Sequence, residues 1–374
     1  MLHLFTFVLA ASLSSAQVSA IENAVRGRMA AGQIPSVSVR VDIGGKNVYA
    51  KAFGYSSLTY RSAANVDTRY QYGSITKQFT GAAVVTLASR GKLSLDDRIG
   101  KWLPEFSKFP VTIRQMLVHT SGLPDYSGET WYFTKYYTNP FAGRDELFKW
   151  TAEHSLEFTP GEKAVYDNAA YTLLARVVEK ASGEPFFTYL SRTFFKPLGM
   201  TSVAPQNLFK IEPNTAQGYW FMVKEFAEQL HVPYQAGLLQ QAPPWNMEQV
   251  DGAGYLVGDT ADLQKWDDAL LAGTALTGKA KSLFHTEGRL NNGKPTYTGP
   301  ENPAHKPGVY LYGGLGLFYV GDVPVYGANG GTGGFLSFTC TIPSKHLALT
   351  ILTNHGADLD NSLLTLPVLR ALVQ

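Results

Sequence analysis

The chain has 374 residues, of which 45% are hydrophobic and 17% are charged. This length gives room for one large core or two closely packed domains, and the low charge content excludes a largely disordered or rod-like protein. The 32 basic and 30 acidic side chains leave a net charge of +2, which provides no basic surface for a nucleic acid or an anionic membrane. The composition therefore favours small molecules or peptides as ligands.

Cysteine and histidine usage argues against a metal site. The single cysteine, Cys340, excludes an intramolecular disulfide. The eight histidines are scattered and are not spaced with cysteine as in a structural zinc site. We expect neither a metal ion nor another cofactor.

The N-terminus carries an apolar run over residues 4–13, followed by small residues up to Ala20. This pattern is typical of a secretory signal peptide, which we assign to residues 1–20, ahead of one folded unit over 21–374. The alternative is a buried N-terminal helix, because the segment before the apolar run carries His3 but no Lys or Arg. No later stretch reaches the ~18 apolar residues of a spanning helix, so we expect a secreted or extracytoplasmic protein without a membrane segment.

Strand patterns lie at both ends of the remaining chain. Residues 36–52 alternate apolar and polar side chains on either side of two glycines, which predicts a β-hairpin. Residues 309–353 are rich in Val, Tyr, Phe and Thr and predict further strands, broken by the glycine cluster at 327–334. The tail at 361–373 predicts a helix.

Helical signals dominate between about residues 76 and 268. Thr112 and Gln115 have the spacing of a capping box, and apolar residues from Leu173 to Val178 recur at helical spacing before Gly183. The middle of the chain is therefore predicted to be mostly helical.

These patterns together predict an α/β (α+β) fold. One antiparallel sheet, built from both ends of the chain and flanked by helices, would carry a mostly helical inserted subdomain. We assign the sheet part to about 21–80 and 255–374 and the helical part to about 81–254. A ligand is expected in the cleft between the two parts.

The first candidate for chemistry is the pair Ser74 and Lys77. The two residues open a helical pattern and, three positions apart, lie on one helix face. A serine hydroxyl becomes a strong nucleophile when an adjacent base takes its proton, and a partly desolvated lysine can stay neutral and act as that base. The same spacing recurs at Ser89 and Lys92 without an evident chemical role, so the pair alone is also compatible with an ordinary surface helix.

The second candidate is Tyr166-Asp167-Asn168, which follows a turn-forming segment and precedes the helical pattern ending at Gly183. We expect this triplet on a loop. The Tyr166 phenol can relay protons between a nucleophile and a leaving group. The Asn168 amide can bind a substrate carbonyl and the amine of Lys77.

The third candidate is the run that begins Ala328-Asn329-Gly330-Gly331 and leads into a strand. Glycines at such a place let a substrate backbone approach the edge of a sheet. A β-bulge or a hairpin loop has a similar composition.

Taken in order, the three groups resemble the serine β-lactamases and penicillin-recognising hydrolases, in particular the class C β-lactamase-like branch with its esterases, D-amino-acid peptidases and transpeptidase-like relatives. The connecting segments at 91–97, 112–124 and 195–200 are also similar to those of this branch, and the segment 112–124 is the most specific. The resemblance covers nearly the whole chain after the signal. It implies a β-lactamase/transpeptidase-like fold.

The resemblance also implies catalytic roles. Ser74 would be the acylated nucleophile, Lys77 its activating partner, and Tyr166 the general base and acid. Asn168 would position the substrate and the lysine. His119, which lies in the segment 112–124, is expected to be structural rather than catalytic.

For substrate binding, the resemblance implies Asn329, Gly330 and Gly331, with the backbone amides of Ser74 and Gly331 as the oxyanion hole. The sequence departs from the family at Ala328, where relatives carry Lys or His. Neutral hydrogen bonds to a carboxylate are roughly half as strong as charge-assisted ones. Recognition of penicillins, or of peptides with a free carboxylate, should therefore be poor.

We therefore expect a secreted serine hydrolase that acts through an acyl-enzyme on Ser74, with weak or no β-lactamase activity. Its substrates would be small-molecule or peptide-like esters or amides. Two alternatives remain open. One is an acyltransferase on the same scaffold. The other is a non-catalytic binding or scaffold member of the family, which the missing cation at Ala328 suggests.

Overall fold

The structure is a computed structural model that describes residues 12–132, 135, 139, 141–221, 224, 227–228, 233–297, 308–356 and 361–374. Its centre is an antiparallel eight-stranded sheet with helices on both faces. The strands are β1 Ser36–Ile43, β2 Lys46–Ser57, β3 Ser62–Ala63, β4 Tyr70–Gln71, β5 Ala204–Pro205, β6 Tyr219–Phe221, β7 Leu239–Gln241, β8 Leu256–Gly258, β9 Val309–Tyr310, β10 Gly316–Val320, β11 Val323–Thr332, β12 Phe335–Ile342 and β13 Leu347–Thr353. The helices are α1 Ser15–Gly32, α2 Thr76–Ser89, α3 Ile113–Leu117, α4 Thr130–Tyr132, α5 Arg144–Glu153, α6 Asn168–Ser182, α7 Phe186–Leu190, α8 Asp251–Gly254, α9 Thr260–Ala272, α10 Gly278–Phe284 and α11 Ser362–Val373.

The large sheet has the order β3-β2-β1-β13-β12-β11-β10-β9. β1 pairs with β13, with Val37 opposite Thr353, so the two ends of the chain meet inside one sheet. The predicted sheet is thereby confirmed, as are the N-terminal hairpin and the C-terminal helix α11. The hairpin turns at Gly44 and Gly45, which both have left-handed backbone angles.

The break in the strands predicted at residues 327–334 is confined to Gly333 and Gly334. β11 continues through this cluster to Thr332, and a short turn then joins it to β12. The glycines are explained by close packing rather than by a loop. A Cβ on Gly330 would lie 2.0 Å from the carbonyl oxygen of Tyr72, so only glycine fits where the strand passes this residue.

The helices divide between the two faces of the sheet. α1 and α11 cover one face, and α2 and α9 pack on the other side, where the larger core lies. Every residue of α2 except the last is buried. A Cβ on Gly81 would lie 2.6 Å from the backbone of Gly313, which shows how closely neighbouring chain surrounds this helix. α2 therefore directs its side chains into the interior, and Lys77 lies in its first turn.

Helices are the most common regular elements in the middle of the chain, which also contains short strands and long irregular segments. β4 and β5 pair with β8, and β6 pairs with β7. The predicted capping box is present, because the Thr112 side chain accepts from the Gln115 amide and the Gln115 side chain accepts from the Thr112 amide. α6 ends at Gly183 in a left-handed conformation, as predicted.

The N-terminal helix α1 begins inside the segment predicted to be a signal peptide. Ser14 caps it, and Ile21 and Val25 are buried against the sheet. The Gln17 side chain donates to the carbonyl oxygen of Ala371 at 3.2 Å. Residues 1–11 lie outside the described residues. Among the residues that are described, no helix is both long and apolar enough to cross a membrane.

A buried carboxyl group lies between α9 and the sheet. Asp267 is 1% exposed and accepts a hydrogen bond from the Thr339 hydroxyl. Burial, with the nearby charges of Asp268 and Asp42, raises the pKa of Asp267 to about 8. The folded protein therefore holds this proton up to a higher pH than the unfolded chain does.

This difference predicts a pH-dependent stability. The unfolded carboxyl has a pKa of about 3.9, so the contribution of Asp267 to the free energy of unfolding should fall as the pH rises from about 4 to about 8. We expect Asp267→Asn, which cannot ionise, to lose less stability between pH 5 and pH 8 than the wild type does in urea unfolding. The exposed Asp67→Asn is the control and should keep the wild-type slope. Equal slopes in wild type and Asp267→Asn would contradict this assignment.

Candidate active site

Ser74 lies in the 3₁₀ turn Gly73–Ile75, directly before α2. Gly73 has a left-handed φ of 52°, and a Cβ on it would lie 2.8 Å from the amide nitrogen of Gly331. Only glycine allows this close approach, which brings the turn that carries Ser74 against β11. Ser74 and Gly331 line the same cleft.

Lys77 is surrounded by oxygen atoms. Its Nζ lies 3.1 Å from Ser74 Oγ, 2.8 Å from Asn168 Oδ1 and 2.8 Å from the carbonyl oxygen of Ala253. A neutral amine has two protons and one lone pair. The amide and carbonyl oxygens accept the two protons, so the lone pair of a neutral Lys77 faces the Ser74 hydroxyl.

Burial makes this neutral form accessible. Only 2% of the Lys77 surface is exposed, and desolvation lowers the pKa of its amine to about 7. The carboxylates of Asp125 and Asp167 oppose the shift but do not cancel it. A large fraction of Lys77 is therefore uncharged near neutral pH and can accept a proton.

Tyr166 donates a hydrogen bond from its hydroxyl to Ser74 Oγ at 2.6 Å. It lies on the loop before α6, as predicted, and 41% of the residue is exposed. Desolvation raises the pKa of the phenol above its ordinary value of 10, and the hydrogen bond with Ser74 only partly offsets this. Tyr166 is therefore protonated near neutral pH and donates to Ser74, whereas the neutral form of Lys77 can accept a proton.

Asn168 is the first residue of α6 and is held in one orientation by the segment before α4. Its Nδ2 donates to Ser127 Oγ at 3.0 Å and to Asp125 Oδ2 at 3.4 Å, and its backbone amide donates to the same Asp125 oxygen at 3.0 Å. Because Nδ2 faces these acceptors, Oδ1 faces Lys77. Asp125 and Ser127 thus fix which end of the amide meets the lysine.

The end of β11 forms one wall of the site. Its last pair with β10 joins Gly327 to Gly316, and beyond it residues 328–332 pair with β12 alone. The other edge of this segment borders the cleft, as expected for a strand that can receive a substrate backbone. Ala328, Asn329, Gly330 and Gly331 all line the cleft, and Asn329 is exposed.

The cleft has a volume of about 500 Å³. It brings together Ser74, Lys77 and Tyr166 with the end of β11 and with residues of α11. Among the described residues that line it, no Arg, Asp or Glu side chain occurs, and the only basic groups are Lys77 and His119, whose pKa values are both lowered by burial. The site is therefore close to electrically neutral.

Several residues of the site escaped the sequence analysis. Tyr310 of β9 lines the cleft and lies edge-on to His119, with ring centroids 4.6 Å apart. Asp125 and Ser127 orient Asn168, and Ala253 contributes only a carbonyl oxygen. The sole available signal was the proximity of Asp125 to the family-like segment 112–124.

No metal centre emerges from the geometry. In the part of the chain that is described, no three His, Cys, Asp or Glu side chains are grouped to hold a metal ion. Cys340 is a free, buried thiol in β12.

Comparisons with known proteins place the chain in one family. The protein-family model "Beta-lactamase" matches residues 21–370. Penicillin-binding protein 4* of Bacillus subtilis (strain 168) is 30% identical over 265 residues, which cover 67% of this chain and 55% of that protein. The chain spans about half the length of the curated relatives that it matches.

Solved structures show the same fold. The D-amino acid amidase from Ochrobactrum anthropi SV3, complexed with D-phenylalanine, superposes with a TM-score of 0.80 at 23% identity, over 96% of this chain and 99% of that chain. EstCE1, described as a hydrolase with promiscuous acyltransferase activity, has a TM-score of 0.74 at 18% identity, over 96% and 99% of the two chains. With the fold, the family match and the meeting of Ser74, Lys77 and Tyr166 in one cleft, the resemblance seen in the sequence is confirmed, and the chain belongs to the Beta-lactamase family.

Proposed function

We propose that the protein is a secreted serine hydrolase that forms an acyl-enzyme on Ser74 with esters or amides lacking a free carboxylate. The observation that carries this proposal is the position of Ser74 Oγ, within hydrogen-bonding distance of both Lys77 Nζ and the Tyr166 hydroxyl. A nucleophile between a proton acceptor and a proton donor is what acyl transfer requires.

Acylation would begin with neutral Lys77 taking the Ser74 proton while Oγ attacks the substrate carbonyl. The carbonyl oxygen then gains negative charge between the amides of Ser74 and Gly331. Tyr166 gives its proton to the departing alcohol or amine, and the proton held by Lys77 restores the phenol. A water molecule that attacks the ester on Ser74 reverses these transfers and frees the acid.

The charge of the cleft supports uncharged substrates. Ala328 supplies no cation, and Lys77 is the one lysine or arginine among the described residues that line the cleft. A substrate carboxylate would find the neutral donor Asn329 instead of an ammonium. Desolvating a carboxylate without a charged partner is costly, so esters and amides of uncharged groups should bind better than penicillins.

Export is proposed on the signal-like segment over residues 1–20. The contact between Gln17 and Ala371 bears on where such a segment would end. Cleavage after Ala16 keeps this contact, whereas cleavage after Ala20 removes it. Cleavage after Ala16 is therefore more compatible with the contact between α1 and α11 than cleavage after Ala20.

Acyl transfer is the second candidate function. EstCE1, which shares the fold, is described as a hydrolase with promiscuous acyltransferase activity. The chemistry differs only in whether water or another nucleophile takes the acyl group from Ser74, so products formed with added alcohols or amines separate the two. The hydrogen bonds of Ser74 Oγ with Lys77 Nζ and the Tyr166 hydroxyl favour catalysis over a purely binding role.

The first prediction concerns the nucleophile. A fluorophosphonate probe should label Ser74 in the folded protein, and steady release of p-nitrophenol from an acyl ester should disappear in Ser74→Ala. Ser89→Ala is the matched control, because Ser89 and Lys92 repeat the same spacing while the Ser89 hydroxyl binds the Thr86 carbonyl at 2.8 Å. Absence of label on Ser74, or release that persists in Ser74→Ala, would refute the proposed function.

The second prediction concerns the base. If neutral Lys77 activates Ser74, kcat/KM for an ester should rise with pH with a midpoint near 7, the pKa of Lys77. The charge of Asp125 raises the pKa of Lys77, so Asp125→Asn should move the midpoint to lower pH. Ser127→Ala is the control, since it removes a partner of Asn168 but no charge. Equal midpoints in Asp125→Asn and wild type would argue against Lys77 as the base.

The third prediction concerns the missing cation. Ala328→Lys should raise the acylation rate by a penicillin about fivefold or more, because a charge-assisted hydrogen bond replaces a neutral one. Ala328→Met, of similar length but uncharged, should leave the rate near that of the wild type. An unchanged rate in Ala328→Lys would show that this charge does not limit penicillin recognition.

A further inference from the structure

His119 follows α3 in the segment that resembles the connecting segments of the family. It is 3% exposed and has a left-handed φ of 58°. Residues with a side chain pay about 1 kcal/mol or more for this conformation, so it persists where surrounding contacts hold it. The contacts of His119 are concentrated on the loop that carries Tyr166.

His119 holds three consecutive residues of this loop. Its carbonyl oxygen accepts from the Val165 amide at 2.9 Å, and its Nδ1 accepts from the Asp167 amide at 3.1 Å. Between these two hydrogen bonds, the imidazole stacks on the Tyr166 ring, with centroids 4.6 Å apart and planes inclined by 29°. His119 thus contacts the residue that carries the phenol and the residues on either side of it.

The imidazole is itself fixed on its other sides. The Tyr310 ring meets it edge-on at 4.6 Å, and the Tyr171 ring lies 5.1 Å away. The Tyr171 hydroxyl is tied to the Leu117 carbonyl at 2.6 Å. The plane against which Tyr166 rests is therefore rigid.

The charge state of the ring suits this contact. Nδ1 accepts a hydrogen bond, so the proton of the neutral ring lies on Nε2. Desolvation, with the positive charge of Lys77, lowers the pKa of His119 well below its usual 6.5. A cationic ring would have no lone pair for the Asp167 amide, and the environment prevents that state.

Other contacts of the loop hold mainly Asp167, which accepts from the Ser121 hydroxyl at 2.7 Å and from the Ala170 amide at 2.9 Å, while Lys77 Nζ lies 4.8 Å from the centroid of the Tyr166 ring. Residues 163–167 form neither helix nor strand, and Tyr166 is 41% exposed. Yet its hydroxyl, 2.6 Å from Ser74 Oγ in the structure, must stay beside this atom to give its proton to a leaving group there. A displacement of about 1 Å in such a group can reduce a rate about a hundredfold.

We propose that His119 is a positioning residue of the active site, which holds the Tyr166 hydroxyl against Ser74 by stacking and by bonding the residues on either side. This inference rests on the proposed hydrolase function and assigns to the histidine a role that acts through Tyr166. His119 does not touch the reacting atoms and is not a proton acceptor in the reaction.

The test uses Asn in place of His119. Asn tolerates the left-handed conformation, and its Oδ1 can replace Nδ1 as the acceptor for the Asp167 amide, so His119→Asn removes mainly the stacked ring. We expect kcat for a p-nitrophenyl ester to fall about tenfold to a hundredfold, with KM nearly unchanged. His154→Asn is the matched control, because His154 stacks on Trp150 at 4.2 Å but is exposed, and it should stay within about twofold of wild type.

A double-mutant cycle separates positioning from general damage. In a Tyr166→Phe background, His119→Asn should change kcat by less than about twofold, because the group that it positions is already gone. An equal loss in both backgrounds, or no loss in His119→Asn alone, would overturn the proposal.

A readout without turnover keeps this inference separate from the proposed function. In protein labelled with 3-fluorotyrosine, the 19F NMR signal of Tyr166 is identified by its absence from the spectrum of Tyr166→Phe. His119→Asn should shift this signal, since the stacked ring is removed, whereas His154→Asn should not. If the Tyr166 signal does not move in His119→Asn, the positioning role is overturned, whether or not the wild type hydrolyses esters. If the wild type shows no turnover, only the hydrolase function is refuted.

Discussion

The burial of the Lys77 amine is the constraint on which the site depends. A lysine that is 2% exposed must lose its charge or find oxygen partners, because transfer of an unpaired ammonium from water to the interior is very unfavourable. The protein does both. The amine meets three oxygens from three separate segments, and its pKa falls to about 7. The burial that is costly for folding is also what leaves the amine neutral near pH 7, as the proposed role of Lys77 as a base requires.

Contacts from several elements fix the position of the Ala253 carbonyl oxygen that binds the Lys77 amine. It belongs to α8, and the Asp251 carboxylate at the start of α8 is paired with Arg144, which also bonds Glu179 at 2.8 Å. The Thr80 hydroxyl donates to the Gly252 carbonyl at 2.7 Å. A Cβ on Gly252 would lie 2.1 Å from the Tyr171 carbonyl oxygen, so α8 packs directly on α6. An ion pair and a close backbone contact thus place one acceptor for Lys77.

The parts that were predictable from the sequence are those with a side-chain signature. Strand alternation predicted the sheet built from both chain ends, and capping residues predicted helices. The Ser74 and Lys77 pair and the later Tyr166 predicted three side chains that the structure brings together. The glycine run was misread because glycine composition alone does not distinguish a loop from a strand pressed against neighbouring backbone. The run needs glycine because Tyr72 passes Gly330, a contact between residues far apart in the sequence.

Other features had no local signature. Ala253 acts through a carbonyl oxygen that any residue carries, and Asp125 meets Asn168 across 43 positions of the chain. His119 was expected to be structural, and its buried position and backbone conformation agree. What the sequence could not indicate is that the structure it supports is the loop of Tyr166, because the stack and the two hydrogen bonds arise only when α3 and α6 are packed together.

The absence of a cation at Ala328 and the pKa of Lys77 belong to one electrostatic balance. Burial lowers the pKa of Lys77 to about 7 even though Asp125 and Asp167 oppose the shift. A second cation in the cleft would lower this pKa further by Coulomb repulsion and would attract carboxylates at the same time. The charge at position 328 would therefore affect both the substrates that bind and the pH range of activity. In the proposed function, a cleft without that cation keeps Lys77 about half neutral near pH 7 and favours uncharged substrates.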